Sequence, residues 1–226
     1  SHVPLFLHPN PKNVLIIGGG DGGVARECVR HDCVEKVTMV EIDGKVVELA
    51  KQYLPTIADA MIRQDPKLTV KIGDGIGFMA QADNEYDVII VDCSDPIGPG
   101  EGLFTKEFYA NVHKALKADG LFVQQTESPV MHKPLVEKVF GYVRDQFAMA
   151  RLYTAYIPIY PTGMHCFTMG TKTYDPLTFV PNRERTFTTK YYNEKIQTAA
   201  FALPNFVKEL KEYRHVRNGD IEIVTR

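Results

Sequence analysis

The apolar run Asn13–Gly18 ends in Gly18-Gly19-Gly20-Asp21-Gly22-Gly23, and helical spacing begins immediately after it, over residues 21–31. A buried strand that turns through glycines into a helix is the first unit of a parallel α/β sheet. The rest of the chain repeats that rhythm. Strands are predicted over 36–43, 68–74, 86–93 and 120–126, with helices over 44–54, 76–82, 105–117 and 130–147. Two further strands, 151–156 and 164–170, close the series. The pattern predicts a doubly wound, Rossmann-like sheet of about seven strands with helices on both faces. The rhythm stops near residue 175, so the chain divides into a catalytic domain, 1–175, and a C-terminal helical extension, 176–226, with helices over 190–202 and 204–213. The polar stretch 214–226 has no predicted place.

Ligands of such sheets bind at the carboxyl ends of the strands, and here those ends are acidic. Strand one leads into Asp21, strand two ends in Glu41-Ile42-Asp43, strand three in Asp74-Gly75, and strand four in Asp92-Cys93-Ser94-Asp95. Gly18, Gly20 and Gly23 form Gly-x-Gly-x-x-Gly, which lets backbone approach a ligand over a helix N-terminus. By itself the motif is weak; a tight turn needing positive φ explains it as well. Glu41 lies 18 residues after Gly23, a spacing that suits a carboxylate receiving ribose hydroxyls. A dinucleotide site leaves Asp74, Asp92 and Asp95 unexplained, whereas an acid at Asp74 suits the exocyclic amine of adenine. Five carboxylates in one crevice would repel each other, so a cationic ligand or an oxygen-bound metal is expected among them. No histidine is expected at this edge. Residues 94–102, with two prolines and three glycines, form a loop and a candidate lid.

Composition narrows the partners. With 26 Lys+Arg against 28 Asp+Glu the formal charge is −2, and no basic run occurs, which argues against nucleic acid. Cys28, Cys33, Cys93 and Cys166 form no Cys-x-x-Cys pair, and the seven histidines show no His-x-x-x-His spacing. Reduced thiols in a cytoplasmic protein without a structural metal are expected. No stretch has the length and apolarity of a membrane span, and the first residues lack the pattern of a signal peptide.

Gly18–Gly23 (GGGDGG), Glu41–Asp43 (EID), Asp74-Gly75, Asp92–Pro99 (DCSDPIGP), Gln125, Ile159–Gly163 (IYPTG) and the segment 190–210 resemble the spermidine synthase family of aminopropyltransferases. The resemblance covers about residues 3–210. It implies a methyltransferase-like Rossmann fold and transfer of an aminopropyl group from decarboxylated S-adenosylmethionine to putrescine, giving spermidine and methylthioadenosine. It implies no cofactor, the nucleotide being a co-substrate, and a homodimer or homotetramer. By the same resemblance Asp92 is the proton acceptor. Gly18, Gly20, Asp21, Glu41, Asp74, Gly75 and Pro99 bind the nucleotide: Glu41 at the ribose, Asp74 and Gly75 at the adenine, Asp21 at the aminopropyl tail. Asp92, Asp95, Gln125 and Tyr160 contact the diamine. The family also carries a β-strand domain upstream of the point where this chain opens, and that domain is expected to be absent here. The alternatives are an S-adenosylmethionine-dependent diamine N-methyltransferase on the same scaffold, and a truncated nucleoside-binding form with little turnover. Asp21 and the Asp92/Asp95 pair favour aminopropyl transfer over the first, since an aspartate at position 21 repels the carboxylate that only the undecarboxylated nucleotide carries.

Overall fold

The computed structural model describes residues 1–210. Seven strands form one sheet: β1 (Asn13–Gly18), β2 (Lys36–Glu41), β3 (Leu68–Ile72), β4 (Tyr86–Asp92), β5 (Leu116–Gln125), β6 (Met149–Tyr156) and β7 (Met164–Thr171), in the order β3-β2-β1-β4-β5-β7-β6. β1 to β5 run parallel, and β7 inserts antiparallel between β5 and β6. The helices are α1 (His2–Leu7), α2 (Gly23–Val29), α3 (Gly44–Tyr53), α4 (Asp59–Ile62), α5 (Gly75–Gln81), α6 (Lys106–Ala115), α7 (Lys133–Gln146), α8 (Glu194–Ala199) and α9 (Asn205–Lys208).

The expected doubly wound α/β architecture is present, and the strand sequences show why. Along β1, Leu15 and Ile17 pack into a core with Met79 of α5, Phe108 and Tyr109 of α6 and Phe140 of α7. Val14 and Ile16 point the other way, into a second core with Leu5 of α1, Ala25 and Cys28 of α2, Val47 of α3 and Met61 of α4. A strand buried on both faces must be apolar at every position, hence Val-Leu-Ile-Ile.

Several boundaries differ from the sequence reading. Residues 2–7 form α1, for which no helix was expected. β5 begins at Leu116, where the tail of a helix was expected, because an irregular register between Tyr86 and Val88 lets Leu116 pair with Tyr86. The stretch expected as wholly irregular, 94–102, passes into a 3-10 turn over Gly98–Phe104 with proline in its first turn. A 3-10 turn needs only i→i+3 bonds and tolerates proline at its start. The two C-terminal helices are short, α8 being preceded by Asn193, whose side chain caps it by accepting from Lys195 N–H and Ile196 N–H. The last three residues of the helix expected over 204–213, and all of 214–226, lie outside the described residues.

This C-terminal segment packs on the body. Ala200 and Phe201 join one core, Leu203, Val207 and Leu210 the other. Thr154 N–H on the free edge of β6 donates to Ala200 O at 2.9 Å, and a covered edge cannot template pairing with another chain.

The β1–β4 pairing matters most for the site, since it sets Gly18 beside Asp92. Gly18 has φ +80°, and a Cβ there would lie 2.1 Å from Asp92 O. Gly18→Ala should therefore cost at least about 2 kcal/mol, from the left-handed backbone alone, before the displacement of Asp92 is added. Urea unfolding measures it; a loss below about 0.5 kcal/mol, the range of neutral surface changes, would show that the turn relaxes freely.

Candidate active site

Each parallel strand delivers its last residue to one edge, and the turns after them build the site. After β1 the glycine turn doubles back: Gly19 N–H donates to Asp92 O at 2.8 Å and Gly22 N–H to Gly19 O at 2.8 Å. Gly20 N–H donates to Glu41 Oε2 at 3.1 Å, tying the turn to the end of β2. A Cβ at Gly20 would come within 2.9 Å of that same oxygen, so any larger residue there would push the Glu41 side chain aside. A cavity of about 360 Å³ opens along this edge, lined among others by Gly18, Glu41, Asp74, Gly75, Asp92 and Pro99. Its size falls in the range of small-molecule sites.

The acids differ in how they are held. Asp21 Oδ1 accepts from Gly23 N–H at 2.8 Å. Glu41 accepts from Gly20 and, at 2.9 Å, from Asp43 N–H. Asp74 caps α5, accepting from Ile76 N–H at 2.9 Å and Gly77 N–H at 3.1 Å. Backbone amides thus satisfy these three, and the expectation that the whole cluster needs a bound cation or metal is too strong. The reason is geometric: turns after parallel strands present N–H groups to the very edge where the carboxylates gather.

Asp92 is different. Its carboxyl is largely buried under the glycine turn; burial, then the charges of Asp21 and Glu41, push its pKa up to about 6. A group that must lose water and face like charges resists ionisation. Tyr160, half-exposed, senses the same cluster: burial and the fields of Glu127, Asp92, Asp95 and Asp21 raise its phenol. Asp21, Asp92, Asp95 and Tyr160 therefore share one electrostatic neighbourhood, next to the cavity that holds Glu41 and Asp74.

Gln125 stands between them as a frame. Its Nε2 donates to Cys93 O at 2.9 Å, while its Oε1 accepts from Glu127 N–H at 3.2 Å and from His165 Nε2 at 2.8 Å. His165 stacks on Tyr160 with ring centroids 5.0 Å apart and 22° between planes. The expectation of no histidine at this edge is thus overturned. β7 runs antiparallel, so its first residues, rather than its last, arrive here.

Glu127 is a further residue that the strand-end reading passed over, although it sits just two residues past β5. It is buried, at φ 67°. Its pKa is driven well up by burial and by the hydrogen bond and charge of Asp95. Ser128 Oγ lies 3.0 Å from Thr162 Oγ1, and Thr162 is itself at φ 72°. Thr162 is thus tied to the neighbour of Glu127, and two left-handed non-glycine residues flank that bond, a strain that persists only where surroundings over-determine it.

A second cluster, His8 with Asp87 and Asp119, lies at the opposite edge. His8 Nδ1 accepts from Asn10 N–H at 3.1 Å, which leaves the ring proton on Nε2. Both Asp87 oxygens already accept, from Lys12 N–H, Asn13 N–H and Lys117 Nζ. Asp119 Oδ2 accepts from the Tyr174 hydroxyl at 2.9 Å, so the carboxylates are committed to the fold, while His8 Nε2 is buried without a hydrogen-bond partner, 3.6 Å from Asp119 Oδ2.

Residues 1–181 match the spermine/spermidine synthase domain. This chain belongs to the spermine/spermidine synthase family. It is 54% identical over 210 residues to polyamine aminopropyltransferase 1 of Bacillus cereus, covering 93% of this chain and 76% of that protein. It is 50% identical over 210 residues to the polyamine aminopropyltransferase of Bacillus subtilis, covering 93% of this chain and 75% of that protein. A spermidine synthase solved with the transition-state analogue AdoDATO superposes with TM-score 0.89 at 44% identity, over 95% of this chain and 73% of that one. The spermidine synthase of Thermotoga maritima gives 0.85 at 42%, over 95% and 72%. The family resemblance and the fold class read from the sequence both stand. Among the described residues no helix is long and apolar enough to cross a membrane.

Burial of Asp92 has a signed consequence for stability. Its carboxyl titrates near 6 in the fold and near 3.9 unfolded. Its contribution is fully present below about pH 4 and is lost as pH rises through about 6. Asp92→Asn removes that loss, so the variant should be more stable than the parent by about 1–3 kcal/mol at pH 7.5, with the gain vanishing near pH 4. Denaturant curves at the two pH values measure it; a variant less stable at pH 7.5 would contradict the burial account.

Proposed function

We propose that the chain transfers an aminopropyl group from decarboxylated S-adenosylmethionine to putrescine, with Asp92 as the proton acceptor. The carrying observation is the position of Asp92: a carboxyl raised by burial that lines the nucleoside-sized cavity and shares the field at Tyr160 with the Asp95–Glu127 pair. The attacking amine must shed a proton before its nitrogen lone pair can displace sulfur. A carboxylate titrating near 6 is ionised at neutral pH yet basic enough to receive that proton. The nitrogen then bonds to the methylene carbon beside sulfur. The carbon–sulfur bond breaks, and its electrons neutralise the sulfonium to the thioether of methylthioadenosine. The sulfonium supplies the leaving group, so positioning of the two substrates does much of the rest.

In this reading Glu41 receives the ribose hydroxyls, and Asp74 with Gly75 receives the adenine. Gly18, Gly20 and Pro99 shape the wall. Asp21 faces the tail ammonium and disfavours the carboxylate of undecarboxylated S-adenosylmethionine. Asp95 and Glu127 hold the distal ammonium of the diamine, with Tyr160 along its methylenes and Gln125 fixing the frame. No resident cofactor is needed, since the reactive group belongs to the co-substrate.

Incubation with decarboxylated S-adenosylmethionine and putrescine, with mass detection, should yield spermidine and methylthioadenosine. A product heavier by a methyl group instead would favour the methyltransferase reading. Asp92→Asn should lose turnover by about 10²–10⁴ while keeping affinity for methylthioadenosine. In the parent, kcat/KM should fall with acid below about pH 6, as Asp92 takes up its proton. Glu127→Gln should raise KM for putrescine about tenfold or more with a smaller effect on KM for the nucleotide, because it removes charge from the distal end only. An unchanged putrescine KM would remove Glu127 from the amine site.

A further inference from the structure

Gln124 is an anomaly in its surroundings. It lies on β5, fully buried, beside the core residues Leu103, Phe104 and Tyr109. A primary amide in such a place costs free energy unless every polar atom is matched. Here the matching is specific. Gln124 Oε1 accepts from the Tyr109 hydroxyl at 2.9 Å, and Tyr109 is itself fully buried. Gln124 Nε2 lies 3.3 Å from Leu103 O and 3.7 Å from Cys93 Sγ. Cys93 stays a thiol at neutral pH, since burial pushes its pKa up to about 12, and its sulfur can accept.

The two acceptors of that one nitrogen lie at opposite stems of a single loop. Cys93 follows Asp92 at the end of β4, and Leu103 lies in the 3-10 turn that ends the loop. Both also line the nucleoside-sized cavity, with Pro99 and Gly100 between them. Three of the loop's other ties, Ile97 N–H to Asp95 O, Gly100 N–H to Ile97 O and Gly98 N–H to Glu101 Oε1, are internal to it; outside it, Asp95 bonds Glu127 and Gln125 Nε2 donates to Cys93 O at the first stem. Ile97 is 75% exposed. Gln124 thus spans the loop's stems from beneath while remaining out of the cavity.

We infer that Gln124, oriented by Tyr109, is a positioning residue that fixes the spacing of the loop stems at Cys93 and Leu103, and so the width of the cavity between β4 and the 3-10 turn. The occupant of that cavity, an adenine thioether nucleoside, rests on the proposed function; the stapling does not. Tyr109 holds the amide in one orientation, with nitrogen toward the loop. Without that bond the amide could rotate and present oxygen to Leu103 O, which repels it.

Gln124→Met keeps nearly the same volume and removes the donor. Two readouts separate stapling from general core damage. The first is hydrogen exchange of the unliganded protein. Amides of residues 98–104 should exchange about tenfold faster, the worth of roughly one net hydrogen bond, while those in the centres of β1 and β4 keep their relative protection. The second is affinity for methylthioadenosine, which should weaken about tenfold, with kcat at saturating substrates changed less than about threefold. Tyr109→Phe should show the same pattern at about a third of the size, and decides the matter if the methionine variant does not fold. Uniformly faster exchange with an unchanged ratio between loop and strands, or a loop as protected as in the parent, would overturn the inference. If the parent itself fails to bind methylthioadenosine, the functional reading falls, and the exchange comparison still decides whether Gln124 staples the loop.

Discussion

The carboxyl of Asp92 is held in a place where water cannot fully reach it, and the surrounding architecture follows from that. β4 must be apolar on both faces to cross the middle of the sheet, so its last residue emerges from a dry interior. The glycine turn after β1 then folds over it, with Gly19 N–H on its carbonyl and a backbone that only glycine can follow. Asp21 and Glu41 arrive from the neighbouring turn and strand with the same sign of charge. Desolvation and repulsion act together, and the group is left basic at a pH where an ordinary aspartate is not.

The same edge shows how a fold distributes acidic residues by what the backbone offers. Asp21, Glu41 and Asp74 are met by amides from turns and a helix start, which leaves each with spare lone pairs for a hydroxyl or an amine. Asp92 and Glu127 carry the electrostatic cost instead. Glu41 and Asp74 suit recognition of the hydroxyls and amine of a nucleoside and Asp21 its cationic tail, while the second group suits contact with ammonium groups whose protons are to be held or removed. In the proposed function, the stability given up at these two carboxyls is what draws the doubly charged diamine.

Much of this was legible in the chain before any coordinates. Five strand-helix units are written in apolar runs closed by glycine or acid, and the rule that ligands sit at strand ends gathers Asp21, Glu41, Asp74, Asp92 and Asp95 without further help. What escaped has identifiable causes. His165 was missed because the direction of β7 is a property of the sheet, and reversal brings the start of a strand to the active edge. Glu127 escapes the strand-end rule because it lies two residues past the end of β5, and only its left-handed backbone turns it back to the acidic edge. The C-terminal helices were drawn too long because their anchors are remote: Gln197 Nε2 donates to Val3 O and Arg30 to Thr188 O, contacts that no local periodicity encodes. Gln124 read as one more strand residue, and its meaning appears only when Cys93 and Leu103 are seen on either side of it.

The central claim is that burial and like charge, relieved by a cationic substrate, tune Asp92. Carbon-13 NMR of labelled aspartate side chains, assigned with Asp92→Asn, reads this group directly. The account predicts an apparent pKa near 6 in the free protein, moving downward when putrescine is added together with methylthioadenosine, because an ammonium beside the carboxylate favours its charged form. A carboxyl that titrates in the ordinary range for aspartate and does not respond to the diamine would contradict it.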